Sequence, residues 1–272
     1  MNQFARVAIA FFRRDFHIAT SYKFNFVFQL MAGFFIVAMF YFLSRLVDPA
    51  ASRTLVSRFH TDYFSFVLIG VAGAGILHTG LTGFAASLRM GMTEGSLEMT
   101  FSCPIRPMWI LLFPCIWAFF FEALKIVVVI ASGTLFFGAD LGRANLSSGL
   151  TVIIVTVMSY SVLGIISASI IMVLKRGDPI NAALSVASTL IAGAFFPIDL
   201  LPSWLAGVAK VLPMTYAYEA MRKTLLLGAG VSDVRFELMI LGGFSVLGLP
   251  LAIGIANMAI AKSKRDGTLG IF

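Results

Sequence analysis

Few side chains in this sequence are suited to covalent or proton chemistry. The histidines are His17, His60 and His78, and the cysteines are Cys103 and Cys115. They are scattered. One cysteine reads as loop-borne and the other lies in an apolar run, so neither a disulfide framework nor a cysteine-rich metal site is suggested. No HExxH zinc signature and no GxSxG nucleophile elbow occurs. The pattern GxxxxGK[ST] is missing too, with no Gly-Lys pair anywhere, which removes that route to ATP. Two charged pairs remain. Glu122 and Lys125 lie three apart inside an apolar run, and Glu219 and Arg222 lie three apart in a proline-bounded segment. That spacing lets two side chains meet on one helix face. Charges within a membrane span are costly and are usually paired or functional. Glu122 and Lys125 therefore read as mutual neutralisation, with a proton relay or a substrate contact as the alternatives. Glu219 and Arg222 read as a salt bridge or interfacial anchor, with gating as the alternative. His78, amid Thr79 and Thr82, reads as a hydrogen-bonded packing residue rather than a site.

Composition dictates the elements that hold these groups. Of 272 residues, 59% are apolar and only 12% are charged. Mean hydropathy is +0.95. A soluble domain carries about 25% charged residues, so a soluble enzyme and a disordered chain are both excluded. The formal charge of +7 does not point to nucleic acid, because no basic run exceeds Lys262-Ser263-Lys264-Arg265. It fits basic loops beside membrane spans.

A membrane span needs about 20 mostly apolar residues. Six are expected, at 24–43, 63–88, 108–136, 149–174, 180–196 and 236–261. The second holds Gly70, Gly73, Gly75, Gly80 and Gly83, which reads as close helix packing, with an unwound segment as the alternative. Residues 1–23 are too charged to span. On a helix, Phe4, Val7, Ala8, Phe11, Ile18 and Ala19 share one face, and Arg6, Arg13, His17 and Thr20 the other. That predicts an amphipathic helix lying at the headgroups, with Arg14 and Asp15 breaking its pattern. Arg13 and Arg14 also interrupt any signal-peptide core. Residues 197–235 hold Pro197, Pro202 and Pro213 with apolar pieces too short to cross, which suits re-entrant or interfacial helices. Pro202 and Pro213 fit helix starts, and Gly228-Ala229-Gly230 a stop. The expected fold is an all-α polytopic membrane protein: an interfacial helix (1–23), then one transmembrane domain (24–272) of six spans, with re-entrant helices between spans five and six. Eleven Lys and Arg fall on the side of both termini and eight on the other. That places both termini in the cytoplasm.

Three stretches converge on a family. One is Arg89-Met90-Gly91-Met92-Thr93-Glu94-Gly95-Ser96-Leu97-Glu98 followed by Cys103-Pro104-Ile105. Another is Phe195-Phe196-Pro197-Ile198-Asp199-Leu200-Leu201-Pro202-Ser203-Trp204. The last is Leu212-Pro213-Met214-Thr215-Tyr216-Ala217-Tyr218-Glu219-Ala220-Met221-Arg222. With the amphipathic start and six spans, the chain resembles the permease subunit of type-2 ABC exporters over nearly its whole length. The resemblance implies that residues 89–107 form a coupling element against a separate ATPase. Arg89, Gly91, Glu94, Gly95, Leu97, Glu98 and Pro104 would act there, with Arg13 and Arg14 of the interfacial helix beside them. Without the resemblance, a solvated connector and a simple membrane anchor would explain the same residues.

The resemblance further implies that Phe196, Pro197, Leu201, Pro202, Trp204, Pro213, Tyr216, Glu219 and Arg222 close the outer end of the pathway as re-entrant helices. Phe34, Phe35, Phe40 and Phe195 are candidates for an aromatic lining. No catalytic residue, metal ligand or cofactor is expected on this chain. ATP and magnesium would sit on two copies of the partner ATPase, and a second permease copy would complete the pathway. The expected location is the cytoplasmic (inner) membrane, among lipid. The expected function is export of an amphiphilic or hydrophobic substrate such as a drug, lipid or glycolipid. The alternatives are polysaccharide or lipid-linked glycan export, a proton-coupled secondary transporter, and an intramembrane enzyme.

Overall fold

The computed structural model describes residues 3–46, 56–59, 61–93, 100, 107–174 and 178–266. Ten helices follow one another among these residues, with no strand. They are α1 (Gln3–Ser21), α2 (Lys23–Leu46), α3 (Tyr63–Thr93), α4 (Pro107–Leu112), α5 (Pro114–Leu135), α6 (Leu146–Leu174), α7 (Asp178–Ile191), α8 (Ser203–Val211), α9 (Pro213–Leu226) and α10 (Arg235–Arg265). Short 3-10 turns occupy Ser57–Phe59 and Ile198–Leu200. Five helical stretches are long and apolar enough to cross a membrane: Lys23–Leu46, Tyr63–Gly91, Pro107–Leu135, Leu146–Leu174 and Arg235–Arg265. The third is α4 and α5 in series. Pro114 lacks the N–H that would continue α4, but it suits the first turn of α5.

The middle of the bundle is α3, most of whose apolar length is buried, whereas little of that of α2 is. Helices α2, α5, α6, α7 and α9 all pack on α3, and α10 packs on α6 and α9. The glycines of α3 serve this packing, and the helix runs unbroken through them. At Gly80 an added Cβ would stand 2.6 Å from the Tyr160 Cβ, and one at Gly164 of α6 would stand 2.0 Å from the Gly80 carbonyl oxygen. Backbone touches backbone there, as small residues permit in lipid.

Two boundaries differ from expectation. The coupling loop was expected from residue 89, but α3 continues to Thr93, so Arg89 and Gly91 lie on its last turns. The Thr93 hydroxyl donates back to the Arg89 and Met90 carbonyls and closes that turn. The helix at the fifth expected span, 180–196, is also shorter than expected. That helix, α7, covers Asp178–Ile191 only, 14 residues and about 21 Å at 1.5 Å per residue. The reason is local. Gly193 adopts a left-handed φ of +87°. The Ala194 N–H then donates to the Thr189 carbonyl, and the Gly193 N–H to that of Leu190. These are the two bonds of a Schellman stop.

Helix α1 lies against α4 and α5 through rings. Phe4 meets Trp109 and Phe113 edge-on, and Phe12 and Phe16 both meet Trp117. The pattern-breaking residues of α1 satisfy each other: Arg14 Nε donates to Asp15 Oδ1 at 2.7 Å. At the opposite end of the bundle, Pro202 and Pro213 start α8 and α9 as expected. Helix α9 ends at Leu226, just before Gly228 with its positive φ. The Thr215 hydroxyl donates to the Ala209 carbonyl and the Tyr216 hydroxyl to that of Lys210, clamping the two short helices into a hairpin.

Candidate functional site

Glu219 and Arg222 do not pair with each other, which corrects the expected salt bridge. Arg222 is buried and turns toward the end of α7. Its Nη2 donates to the carbonyls of Gly193 at 2.9 Å and Ala194 at 2.8 Å. Its guanidinium lies 3.5 Å from the centre of the Phe66 ring of α3. One side chain thus ties α9 to α3 and to the α7 stop. The planar guanidinium suits this, because it donates in plane and stacks on its face. Glu219 instead forms an ion pair with Arg58 at 2.9 Å and faces Lys223 at 3.5 Å. Lys223 Nζ reaches on to Glu237 of α10 at 2.6 Å. The Arg58 link is largely exposed and worth about 1 kcal/mol at most. The Lys223–Glu237 link is the firmer one, since Glu237 is buried.

These groups surround a cavity of about 280 Å³ lined by Arg58, Phe66, Asp199, Thr215, Glu219 and Arg222, with Pro197 at its rim. Phe196 and Leu201 are half-buried nearby, and Pro202 and Trp204 are exposed. Pro213 is buried and Tyr216 half-buried on α9. Arg58, Lys223, Glu237 and Gly193 were absent from the expected site. Lys223 carried a signal, because a glutamate four residues before a lysine is the favoured helix pairing.

Glu122 and Lys125 both lie on α5. Glu122 is buried between α5 and α3 and is bridged to Lys125. The Thr79 hydroxyl donates to Glu122 Oε2 at 2.9 Å. Gly75 makes the room: a Cβ there would stand 1.9 Å from Glu122 Oε1. The ammonium and the hydroxyl give the buried carboxyl group its polar partners. Glu122→Gln keeps an acceptor for Thr79, and its transport rate is expected to stay close to that of the parent. Glu122→Ala strands Lys125 and is expected to cost about 2 kcal/mol, read as a lower melting temperature in detergent. Loss of transport in Glu122→Gln with an intact fold would point instead to a proton relay.

The expected lining residues are divided. Phe40 of α2 stacks on Phe195, ring centres 5.0 Å apart. Phe34 packs on Phe136 and Phe137 past the end of α5, and Phe35 is exposed. His78 faces α7 at the surface, with its Nδ1 3.4 Å from the Ser185 hydroxyl. Of the expected coupling residues, Arg13 and Arg14 are exposed on α1, and Arg89 and Gly91 lie on α3. Glu94, Gly95, Leu97, Glu98 and Pro104 lie outside the described residues, as do Cys103 and Arg106.

No nucleophile stands beside a base in these clusters, and no metal-holding group of three His, Cys, Asp or Glu side chains occurs among the described residues. The charges join helices to one another. A family model described as ABC-2 type transporter matches residues 2–226, from α1 to the end of α9. The chain belongs to the ABC-2 type transporter family. It is a multi-pass membrane protein and a transport permease domain. Membership implies a partnering ABC ATPase subunit. No curated protein matched the chain. The family match covers the Arg222 clamp and the Glu122 pair, and leaves α10 outside it.

Proposed function

We propose that the chain is the permease subunit of an ATP-driven exporter. It works as a homodimer with two copies of a separate ATPase that carry the ATP and magnesium. It moves an amphiphilic or hydrophobic substrate (a drug, lipid or glycolipid) outward across the cytoplasmic membrane. The observation that carries the dimer is the bare apolar side of the bundle. Phe24, Phe28, Phe35 and Phe42 of α2 are exposed, and so are Leu184, Val186 and Leu190 of α7. Both helices pack on α3, and the Phe40–Phe195 stack joins their ends. A second copy laid on this side closes an aromatic path between subunits.

In this reading α7 is the fifth of six crossings, shortened by its Schellman stop and completed by the turn that leads to α8. The α8–α9 hairpin is re-entrant and closes the outer end. Helix α1 lies at the cytoplasmic headgroups, and residues 89–107 dock on the ATPase, with Leu97 as the apolar knob in its groove. ATP-driven closure of the ATPase pair then favours one of two bundle arrangements.

The test is co-purification with the ATPase encoded beside the gene, followed by ATP hydrolysis in lipid. Leu97→Asp buries a charge in the docking groove and is expected to lower the recovered ATPase at least about tenfold, as loss of a central interface anchor does. Glu94→Arg is expected to weaken assembly or uncouple hydrolysis. Transport by the chain alone down a proton gradient, with no ATPase present, would overturn the reading.

A further inference from the structure

A second apolar feature lies away from the α2–α7 side, where α6 and α10 run side by side to their C-terminal ends. A groove of about 590 Å³ opens between them. Its floor is closed by Ser169 of α6 and Ala259 of α10, both buried. Its walls are two matched stripes. Ile170 and Val173 stand on one side, and Ile255 and Met258 on the other. Lys262 and Arg265 complete the α10 stripe at its end. Both are exposed, and neither meets a carboxylate among the described residues.

Dimension and charge agree on an occupant. From Ile255 to Arg265 the α10 wall rises about 15 Å, which is half of a hydrocarbon core of about 30 Å. The groove thus has the length of one leaflet, with apolar walls along it and two cations at the end where headgroups lie. A zwitterionic lipid offers one phosphate but brings its own cation with it, so it adds no net negative charge against the pair. Basic pockets between membrane helices recruit anionic headgroups. We propose that this groove holds one anionic phospholipid, its phosphate on Lys262 and Arg265 and an acyl chain along Ile170, Val173, Ile255 and Met258. The wall that carries both cations lies on α10, outside the family match, whereas the α6 wall lies within it; the site does not depend on the ATPase or on the exported substrate.

The experiment uses the full chain in neutral detergent, stripped of lipid and titrated with phosphatidylglycerol or phosphatidylcholine under native mass spectrometry. The parent chain is expected to hold phosphatidylglycerol about thirty-fold more tightly, as two basic contacts near a bilayer surface provide. Lys262→Gln with Arg265→Gln is expected to remove that preference, and Lys262→Arg with Arg265→Lys to keep it. Equal binding of the two lipids by the parent overturns the proposal. So does a full preference in the glutamine variant. Inorganic phosphate that displaces phosphatidylglycerol at equal concentration also overturns it, since it would show an anion site without a lipid chain. Both positions are exposed, so the melting temperature in phosphatidylcholine is expected to be unchanged. An equal fall in both lipids would show that the cations only support the end of α10.

Discussion

Arg222→Leu is expected to lower the apparent melting temperature in detergent by about 10 °C. The side chain is buried and its Nη2 serves two backbone carbonyls, Gly193 and Ala194. Leucine fills part of the space but leaves both carbonyls without a donor. A buried group stripped of its hydrogen bond costs about 1–3 kcal/mol. The stacking of the guanidinium on Phe66 is lost as well, and a desolvated cation–π contact is worth about 2 kcal/mol. Together these reach about 3–5 kcal/mol, and a chain of this size loses roughly 2–4 °C per kcal/mol. Arg222→Lys is expected to recover only a part, because an ammonium has no flat face to lie on Phe66. The check is a thermal scan of both variants beside the parent. A leucine variant that melts with the parent would show that water satisfies the turn.

The clamp has a second consequence. The turn it holds also carries Phe195, which stacks on Phe40 of α2. Loosening Arg222 should therefore loosen the end of α2 together with α7. Cysteine accessibility at buried residue 37 of α2, measured after Val37→Cys in both backgrounds, reads this directly. Faster labelling is expected when Arg222 is leucine.

Gly164→Val should prevent the bundle from forming. An added Cβ at residue 164 would stand 2.0 Å from the Gly80 carbonyl oxygen and 2.6 Å from Phe84 Cδ2. The Phe84 ring can yield, but the contact at Gly80 has no flexible way out, because the obstacle is the backbone of α3. The two helices must separate, and every other contact of α3 with α6 is loosened with them. Overpacking of a core costs about 1–3 kcal/mol when side chains can yield, and more when the obstacle is backbone. Lipid tails are as apolar as the helix faces, so no hydrophobic force draws the displaced helices back together. Gly164→Val is expected to elute as aggregate in size-exclusion chromatography, with Gly164→Ala intermediate in yield. Gly254→Ala is the control, since a Cβ at residue 254 meets no atom within 4 Å. A monodisperse Gly164→Val would disprove the tight α3–α6 crossing.

The long spans were legible because the property that makes them is local. Twenty apolar residues in a row cannot stay in water, wherever the rest of the chain goes. Hence α2, α3, α5, α6 and α10 stand near their expected places. The proline starts of α8 and α9 were legible for the same reason, since a missing N–H acts on its own turn. Glu122 and Lys125 were legible because their partner lies one turn away and burial leaves few alternatives. The end of α7 lay within reach of the sequence too, through Gly193, although an apolar run that continues to Phe196 masks it.

What the sequence determined by itself is a helical membrane chain and the positions of its long apolar stretches. Family membership rests on the match over residues 2–226. The tertiary structure alone decided whom the charges serve. Spacing allows Glu219 to meet Arg222 or Lys223, and it says nothing of Arg58 or of the carbonyls at 193 and 194. A hydrogen bond needs its partners within about 3 Å. Only the packing of α9 against α3 and the α7 stop brings those carbonyls to Arg222, and only the approach of α10 brings Glu237 to Lys223. Apolar length is a sum over neighbours in sequence, whereas ionic partnership is a distance between segments that folding brings together.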